Sequence, residues 1–173
     1  DIILKIIIVL DYLHRNQYIY RDLKPNNIMI DDNKAVVLID LDRMIKNDDK
    51  NVENQTALSS IFISPELASG FDFSYSTDIY SLGAVIYFII YGEHATEMLI
   101  EKQLRANSDQ KLYFELCKII QKCMNSNPEK RPNTAELIDF FLCIYVNEYC
   151  KSLEEEEEER SFDFENNYAL EYC

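Results

Sequence analysis

The stretch YRDLKPNN, residues Tyr20–Asn27, decides how this sequence is interpreted. It leads into two short apolar runs, residues 28–30 and residues 35–39, which are separated by the polar residues DDNK. Polar turn formers between two β-branched runs are typical of a β-hairpin. The segment DLD, residues 40–42, follows the second run. The pattern therefore predicts a hairpin with a polar segment at each end.

Helical patterns surround this hairpin. Residues 2–14 are almost continuously apolar and long enough for a buried helix, although their β-branched residues leave a strand open. Residues 77–91 are apolar on nearly every face, which predicts a helix inside the domain. Residues 111–124 also have helical spacing. Between the hairpin and these helices, the polar residues 43–58 are predicted to form a mobile loop.

The end of the chain combines a last helix with an acidic tail. Asn133 followed by Glu136 predicts a helix start, and that helix is expected to continue to about Tyr149. The net charge of the chain is −14. Residues 151–173 hold 9 acidic and 2 basic residues, a net charge of −7, so the first 150 residues carry the other −7. This balance argues against a nucleic-acid partner. We expect one domain over residues 1–149 and a disordered tail over 150–173 that is a candidate for binding a basic partner.

Composition excludes several kinds of site. The 3 glycines are too far apart to form a Gly-rich phosphate-binding loop. No apolar stretch reaches the ~18 residues that cross a bilayer. The 5 cysteines form no C-x-x-C pair, so neither a disulfide framework nor a zinc site is predicted. Buried free thiols are expected instead, in a reducing, cytoplasmic compartment. The chain begins with Asp1 and its first methionine is Met29, so we expect a piece of a longer protein.

The ordered segments together resemble the eukaryotic protein kinases, from residue 1 to about residue 149. Asp22 followed five residues later by Asn27 matches the family's catalytic loop, and Asp40 matches the metal-binding Asp of its Asp-Phe-Gly motif. Further matches follow in the family's order, at residues 64–66 (SPE), at residues 78–83 (DIYSLG) and at Arg131. The resemblance implies a mainly α fold, the kinase large lobe, in which a helical bundle accompanies a small hairpin carrying the catalytic loop. Nothing matches the Gly-rich lid, the ATP-contacting Lys or its Glu partner, so the small lobe is expected to be absent.

The resemblance also implies catalytic and binding roles. Asp22 would orient the substrate hydroxyl and accept its proton, a role worth roughly 10²–10⁴-fold. Lys24 would neutralise charge on the transferred phosphoryl group, and its Lys-Pro context is similar to that of serine/threonine kinases. Asn27 and Asp40 would hold Mg²⁺ on the phosphates of ATP, because oxygen ligands suit this ion. Met29 matches the apolar floor under the adenine.

Other matched positions have structural roles in the resemblance. Glu66 and Arg131 would form a largely buried ion pair, and Asp78 would accept hydrogen bonds from backbone N–H groups of the catalytic loop. Ser59 matches the hydroxyl residue that bonds the catalytic Asp in serine/threonine kinases. His14 and His94 are expected to be packing or surface residues.

Arg21, next to Asp22, is similar to the arginine of kinases that are ordered by phosphorylation. Its guanidinium could pair with a phosphate on residues 43–60. Thr56 and Ser60 are the candidate acceptors, and the alternative that they are ordinary polar loop residues stays open.

Three positions depart from the family pattern. Tyr20 replaces the commoner His and Leu41 replaces Phe, and both keep the bulk of the original residue. Asp42 stands where the family has Gly, and Gly would allow a positive φ that Asp tolerates less well. The added charge near the metal could strengthen Mg²⁺ binding or disturb the loop.

The sequence thus predicts a serine/threonine protein kinase that transfers the ATP γ-phosphate to protein Ser or Thr hydroxyls with Mg²⁺. The 173-residue piece itself is expected to be inactive, because the nucleotide would lack its roof. The alternative is a pseudokinase or scaffold that binds partner proteins without catalysis. A third hypothesis is an interaction module that acts through the acidic tail alone.

Overall fold

The computed structural model describes residues 1–48, 61–70, 73–106, 110–150 and 154. They are mainly helical: α1 (Ile2–Arg15), α2 (Pro65–Ala68), α3 (Tyr75–Tyr91), α4 (Glu97–Ala106), α5 (Lys111–Cys123) and α6 (134–150). Four short strands accompany them: β1 (Tyr18–Ile19), β2 (Ile28–Ile30), β3 (Val36–Leu38) and β4 (Ile45–Lys46). One compact unit covers Asp1–Ile138 and a second begins at Asp139. This mainly α architecture agrees with the predicted fold class.

The first helix, α1, resolves the helix-or-strand alternative for residues 2–14. Ile6, Ile7 and Leu10 are fully buried, and they lie on one side of the helix because residues three and four apart share a face. Ile8, between them in sequence, is 49% exposed. Burial of this single face favours a helix despite the low helix propensity of isoleucine. Helix α1 packs against α3 and against strands β1 and β3.

Helix α3 is the centre of the first unit. Ten of its residues are buried, as the continuous apolar pattern predicted. It begins after Ser74, whose backbone N–H donates to Thr77 Oγ1 at 3.1 Å, and it ends at Gly92, which has a φ of 70°. A Cβ at Gly83 would lie 2.6 Å from Cys123 Cβ, so this glycine permits the close packing of α3 on α5.

The predicted hairpin is confirmed. Strands β2 and β3 are antiparallel, with Ile28 opposite Leu38 and Ile30 opposite Val36. In the turn, the Asp31 side chain accepts a 2.7 Å hydrogen bond from the backbone N–H of Ala35. The backbone N–H of Lys34 also donates to the Asp31 carbonyl at 2.9 Å, so both the side chain and the backbone of Asp31 close the polar turn that joins the two strands.

A second antiparallel ladder was not predicted. Strand β1 pairs with β4, so that Tyr18 lies opposite Lys46 and Ile19 opposite Ile45. The predicted loop over residues 43–58 is therefore wrong at its beginning, where Arg43 ends a short 3-10 turn and β4 follows. Pairing with β1 supplies the order that a polar segment could not show in isolation. Residues 49–58 of that prediction lie outside the described residues.

The last two long helices agree with their patterns. Helix α5 covers nearly all of the predicted segment. At the start of α6, the backbone N–H of Asn133 donates to Glu136 Oε2 at 2.9 Å, and the Glu136 N–H donates to Asn133 Oδ1 at 3.0 Å. This reciprocal capping confirms the predicted helix start. Helix α4 and the single turn α2 were not predicted.

The cysteine prediction is half right. Cys117 and Cys123 are buried and free, whereas Cys143 and Cys150 are free but exposed on α6. Burial was expected from composition, which cannot place a residue on the outer side of a helix. Cys173 and the predicted tail, apart from its first residue Cys150 and from Glu154, lie outside the described residues. Within the part of the chain that the structure describes, no helix is long and apolar enough to cross a membrane.

Candidate active site

The carboxylate of Asp22 lies at the centre of the candidate site. Lys24 Nζ is 2.8 Å from Asp22 Oδ2, and Asn27 Nδ2 donates to the same oxygen at 2.9 Å. Asn27 Nδ2 also donates to the backbone oxygen of Asp22 at 2.9 Å. Pro25 begins a 3-10 turn that ends at Asn27 and folds the amide back over Asp22. The structure thus brings together the three residues that the YRDLKPNN stretch singled out.

The side chain of Asp78 holds the backbone of the two residues that precede Asp22 in the sequence. Its Oδ2 accepts a 2.8 Å hydrogen bond from the Tyr20 N–H, and its Oδ1 accepts one of 2.8 Å from the Arg21 N–H. The side chain of Asp78 is buried at the start of α3. Arg21 has a φ of 68°, an uncommon conformation for a residue with a side chain, and these two bonds fix it. The predicted acceptor role of Asp78 is confirmed.

His14 is a third partner of Asp78. Its Nε2 lies 2.9 Å from Asp78 Oδ2, and its side chain is only 8% exposed. The packing role that was predicted for His14 holds, but its direct contact with the carboxylate was missed. The signal was weak, since one histidine at the end of an apolar helix does not reveal its partner. His94 stacks on Phe88, in agreement with a packing role.

Tyr20 connects the catalytic loop to the segment after the hairpin. Its hydroxyl donates to the backbone oxygen of Ile39. Burial, followed by the nearby charge of Asp22, raises the pKa of this hydroxyl well above its ordinary value, so it remains a donor at neutral pH. The Ile39 N–H in turn donates to the Asn27 carbonyl at 3.0 Å. These bonds place Asp40 next to the Asn27 segment.

The positive φ that the sequence analysis considered at position 42 lies instead at Asp40. Asp40 itself is left-handed, with φ 60° and ψ 67°, and its side chain is exposed. Asp42 lies inside the 3-10 turn Leu41–Arg43 and is not among the residues with positive φ. A positive φ, which aspartate tolerates less well than glycine, is therefore not required at Asp42. The turn begins one residue after Asp40, so the backbone reversal occurs before Asp42.

The chemistry of these side chains fits a magnesium ion that is shared with phosphate groups. Asn27 and Asp40 offer an amide oxygen and a carboxylate, which are oxygen ligands of the kind that Mg²⁺ prefers. The described residues contain no group of three or more His, Cys, Asp or Glu that could hold a metal alone.

Arg43 is a residue of the site that sequence reasoning missed. Its Nε lies 3.9 Å from Asp22 Oδ2, and its side chain is 37% exposed. Arg21 lies nearby, with its Cζ 4.3 Å from the centre of the Phe73 ring and its Nε buried without a hydrogen-bond partner. Burial first, and then the charge of Arg43, lowers the pKa of Arg21. Two arginines thus flank Asp22, but Ser59, Thr56 and Ser60 lie outside the described residues.

Met29 occupies an exposed apolar surface of the hairpin. It lies in β2 opposite Val37, and the two side chains are 56% and 51% exposed. It makes no hydrogen bond to the Asp22 cluster, as expected for an apolar side chain. The adenine-floor role of Met29 stays a prediction.

Comparison with known proteins agrees with this geometry. The model of the protein kinase domain family matches residues 1–141. Serine/threonine-protein kinase STY17 of Arabidopsis thaliana is 25% identical over 139 residues, which are 75% of this chain and 24% of that protein. Serine/threonine-protein kinase PknB of Mycobacterium tuberculosis is 32% identical over 144 residues, which are 73% of this chain and 22% of that protein.

The chain spans only part of the length of its relatives. Protein R436 of Acanthamoeba polyphaga mimivirus is 29% identical to this chain over 151 residues, and the match covers 53% of that protein. The family match nevertheless includes the whole described site, from His14 through Asp22 and Asp40 to Arg131. On this coverage and geometry, the chain belongs to the protein kinase domain family.

Proposed function

We propose that this chain supplies the catalytic loop of a serine/threonine protein kinase, which transfers the γ-phosphate of ATP to Ser or Thr hydroxyls of a protein substrate. The observation that carries the proposal is the Asp22 carboxylate, held at 2.8 Å by Lys24 and at 2.9 Å by Asn27. Family membership and the names of the relatives support the same reaction.

The residues divide the work of phosphoryl transfer between them. Asp22 orients the acceptor hydroxyl and takes its proton as the oxygen attacks phosphorus. Lys24, whose side chain is 28% exposed, can turn from Asp22 toward the transferred phosphoryl group and balance its charge. Asn27 and Asp40 would bind Mg²⁺, which screens the negative charge of the phosphates. Asp78 and Tyr20 keep the loop rigid during the reaction, because they fix its backbone.

The test is substitution of the proton acceptor in the full-length protein. D22N keeps the shape of the side chain and removes its basicity, so we expect ³²P transfer from ATP to a generic Ser/Thr protein substrate to fall by at least ~10²-fold. M98S, at a methionine that is 76% exposed on α4, is the matched control and should keep its activity. Undiminished transfer by the D22N protein would overturn the proposal.

We also propose that the 173 residues alone do not transfer phosphate. The sequence holds only 3 glycines and contains no Gly-rich lid to cover the nucleotide. Transfer by the isolated chain that D22N abolishes would contradict this part of the proposal and support the first part.

A cytoplasmic location is proposed as well, supported by the free cysteines and tested by fractionation.

A scaffold without catalysis is the second candidate. The specific observation in its favour is the position of Arg43, whose Nε lies 3.9 Å from Asp22 Oδ2. Together with Lys24 and Asn27, it competes with a substrate hydroxyl for the Asp22 carboxylate. The two functions differ in one measurement. A scaffold would give no transfer with the full-length protein, whether residue 43 is Arg or Ala, while a kinase would transfer phosphate in both forms.

A further inference from the structure

Arg43 is a cationic residue next to Asp22 that the proposed transfer reaction does not use. Its Nε lies 3.9 Å from Asp22 Oδ2, and its side chain is 37% exposed. It ends the 3-10 turn Leu41–Arg43, which begins directly after Asp40. The turn therefore holds a solvent-accessible guanidinium beside the carboxylate to which the acceptor hydroxyl is proposed to bind.

The contact between Arg43 and Asp22 leaves the N–H donors of the guanidinium available. Its closest approach, 3.9 Å, is longer than a hydrogen bond, so the two groups interact through charge alone. Asp22 already takes shorter contacts from Lys24 and Asn27, at 2.8 Å and 2.9 Å. Among the residues that the structure describes, Asp22 is the one carboxylate within ion-pair distance of Arg43. The guanidinium can thus bind a further carboxylate through two parallel hydrogen bonds.

The other two described cations around Asp22 are less open to a substrate side chain. Lys24 is proposed to balance the charge of the transferred phosphoryl group. Arg21 is buried, and its Cζ lies 4.3 Å from the centre of the Phe73 ring. Arg43 is therefore the cation that a residue flanking the acceptor can reach.

Distances limit which substrate residue can reach Arg43. A hydroxyl that donates to a carboxylate oxygen of Asp22 lies about 2.7 Å from that oxygen. Because Arg43 Nε is 3.9 Å from Oδ2, the hydroxyl and the guanidinium lie within about 9 Å of each other, whichever oxygen accepts. Successive Cα atoms of a peptide are about 3.8 Å apart. The side chains that can span this distance belong to residues one or two positions from the acceptor.

We propose that Arg43 selects protein substrates that carry Asp or Glu one or two positions from the acceptor Ser or Thr, a substrate class that rests on the proposed function of the same site. The substrate carboxylate binds the Arg43 guanidinium and replaces its long contact with Asp22. The charge of Arg43 then no longer competes with the acceptor hydroxyl for Asp22. An acidic flanking residue thus binds the substrate and frees the proton acceptor together.

The surrounding charge makes a preference for acidic substrates informative. The net charge of the chain is −14, and Asp42, next to Arg43 in sequence, is exposed. Both oppose the approach of a negatively charged peptide. A measured preference for Glu close to the acceptor therefore reports a local cation and not the field of the whole chain.

The test compares peptide substrates of the full-length protein that differ at one position around a single Ser. Glu replaces Gln one or two positions before or after the Ser, and six positions after it in the control peptide. The rate of ³²P transfer from ATP gives kcat and KM for the natural protein, R43Q and R43K. R105Q is the matched control variant, at an arginine on α4 whose side chain is 84% exposed.

We expect Glu at one or more of the near positions to raise kcat/KM roughly tenfold over Gln, and Glu at the far position to change it less than about twofold. In R43Q, the KM of the preferred Glu peptide should rise to that of the Gln peptide. R43K should keep part of the preference, because it keeps the charge and loses the forked donors. R105Q should keep all of it, and D42N should keep or increase it.

Three results would overturn the proposal. One is equal kcat/KM for the Glu and Gln peptides with the natural protein. The second is a preference for Glu that R43Q retains. The third is a preference that R43Q removes only by raising transfer to the Gln peptide, because Arg43 would then obstruct Asp22 without binding the substrate.

Failure of the proposed function gives a different result, since no peptide would then accept phosphate. Fluorescence anisotropy of the labelled peptides with the same full-length protein tests Arg43 in that case. Tighter binding of the Glu peptide that R43Q abolishes and R105Q keeps would support acidic-peptide recognition by Arg43. Equal affinity for the Glu and Gln peptides would overturn it.

Discussion

Arg131 donates two parallel hydrogen bonds to Glu66, from Nη1 to Oε1 at 2.6 Å and from Nη2 to Oε2 at 2.8 Å. The side chain of Arg131 is 0% exposed and that of Glu66 is 11% exposed. Arg131 also donates to the backbone oxygens of Asn125 and Ser76, at 2.8 Å and 2.9 Å. The pair therefore joins α2 to the first turn of α3, through Ser76, and to the segment after α5, through Asn125.

The first prediction concerns the stability that depends on this pair. E66Q leaves the buried guanidinium without its counter-charge, which typically costs about 3–5 kcal/mol. We expect a loss of that size in the free energy of unfolding, measured with urea. E101Q breaks an exposed pair with Arg105 and should cost less than about 1 kcal/mol. Equal losses in the two variants would contradict the prediction.

The same carboxylate predicts a pH dependence. Burial alone would raise the pKa of Glu66, but the hydrogen bonds and charge of Arg131 lower it below the ordinary 4.5. A lowered carboxyl pKa adds stability that is present above pH 4.5 and is lost as the pH falls through the lowered value. The difference in unfolding free energy between the natural chain and E66Q should thus shrink on acidification. A difference that grows toward low pH would show the opposite sign.

Asp78 gives a prediction about local order. D78A leaves the buried N–H groups of Tyr20 and Arg21 without an acceptor, at a cost of about 1–3 kcal/mol each. We expect both amides to lose most of their protection in hydrogen exchange. H14A removes only the histidine contact and is the control. If H14A exposes these two amides and D78A does not, the hydrogen bonds have been assigned the wrong role.

Gly83 sets the distance between α3 and α5. Its substitution with Ala would put a methyl group 2.6 Å from Cys123 Cβ and 2.9 Å from Met124 Cγ. Overpacking of this kind costs about 1–3 kcal/mol. We expect G83A to lower the urea midpoint, although alanine is the better helix former. I89A changes a residue of the same helix that is 45% exposed, so it should reduce the free energy of unfolding much less. A G83A protein that is more stable than the natural chain would contradict the prediction.

The four cysteines that the structure describes are expected to react in two groups. Burial raises the pKa of the Cys123 thiol to about 12, and Cys117 is buried with its Sγ 3.0 Å from the Tyr91 hydroxyl. Cys143 and Cys150 are exposed. Iodoacetamide at pH 8 should therefore label Cys143 and Cys150 quickly and spare the buried pair, as read from peptide masses. All four should react in urea, and fast native labelling of Cys123 would contradict its burial.

The sequence predicted much of this fold because its signals are local. The hairpin follows from the polar DDNK turn between apolar runs, and the start of α6 follows from Asn133 and Glu136. The ladder between β1 and β4 could not be predicted, because each strand has two residues and gains its order from a distant partner. Helix α4 was missed because Ile100 is its one buried residue, so the apolar signal of this segment is weak.

The candidate site shows the same division. Asp22, Lys24 and Asn27 lie close in sequence, and the resemblance of this stretch to the kinase catalytic loop singled them out together before the structure showed their contacts. Arg43 and His14 approach the site from other elements, and only the folded chain reveals their contacts. The sequence left the effect of an aspartate at position 42 open, because a family substitution does not show which neighbour adopts the left-handed conformation, and in the structure that residue is Asp40.

The ladder between β1 and β4 has a consequence for how the site can be altered or transferred. Pairing of Tyr18 with Lys46 joins the two ends of a single segment, residues 18–46. This segment contains Asp22, Lys24, Asn27, Met29 and Asp40. All five proposed catalytic and binding residues thus belong to one closed cassette. Asp78 lies outside this cassette and fixes its backbone by accepting hydrogen bonds from the N–H groups of Tyr20 and Arg21. Grafting between relatives should therefore exchange residues 18–46 as a unit and keep the anchor at position 78.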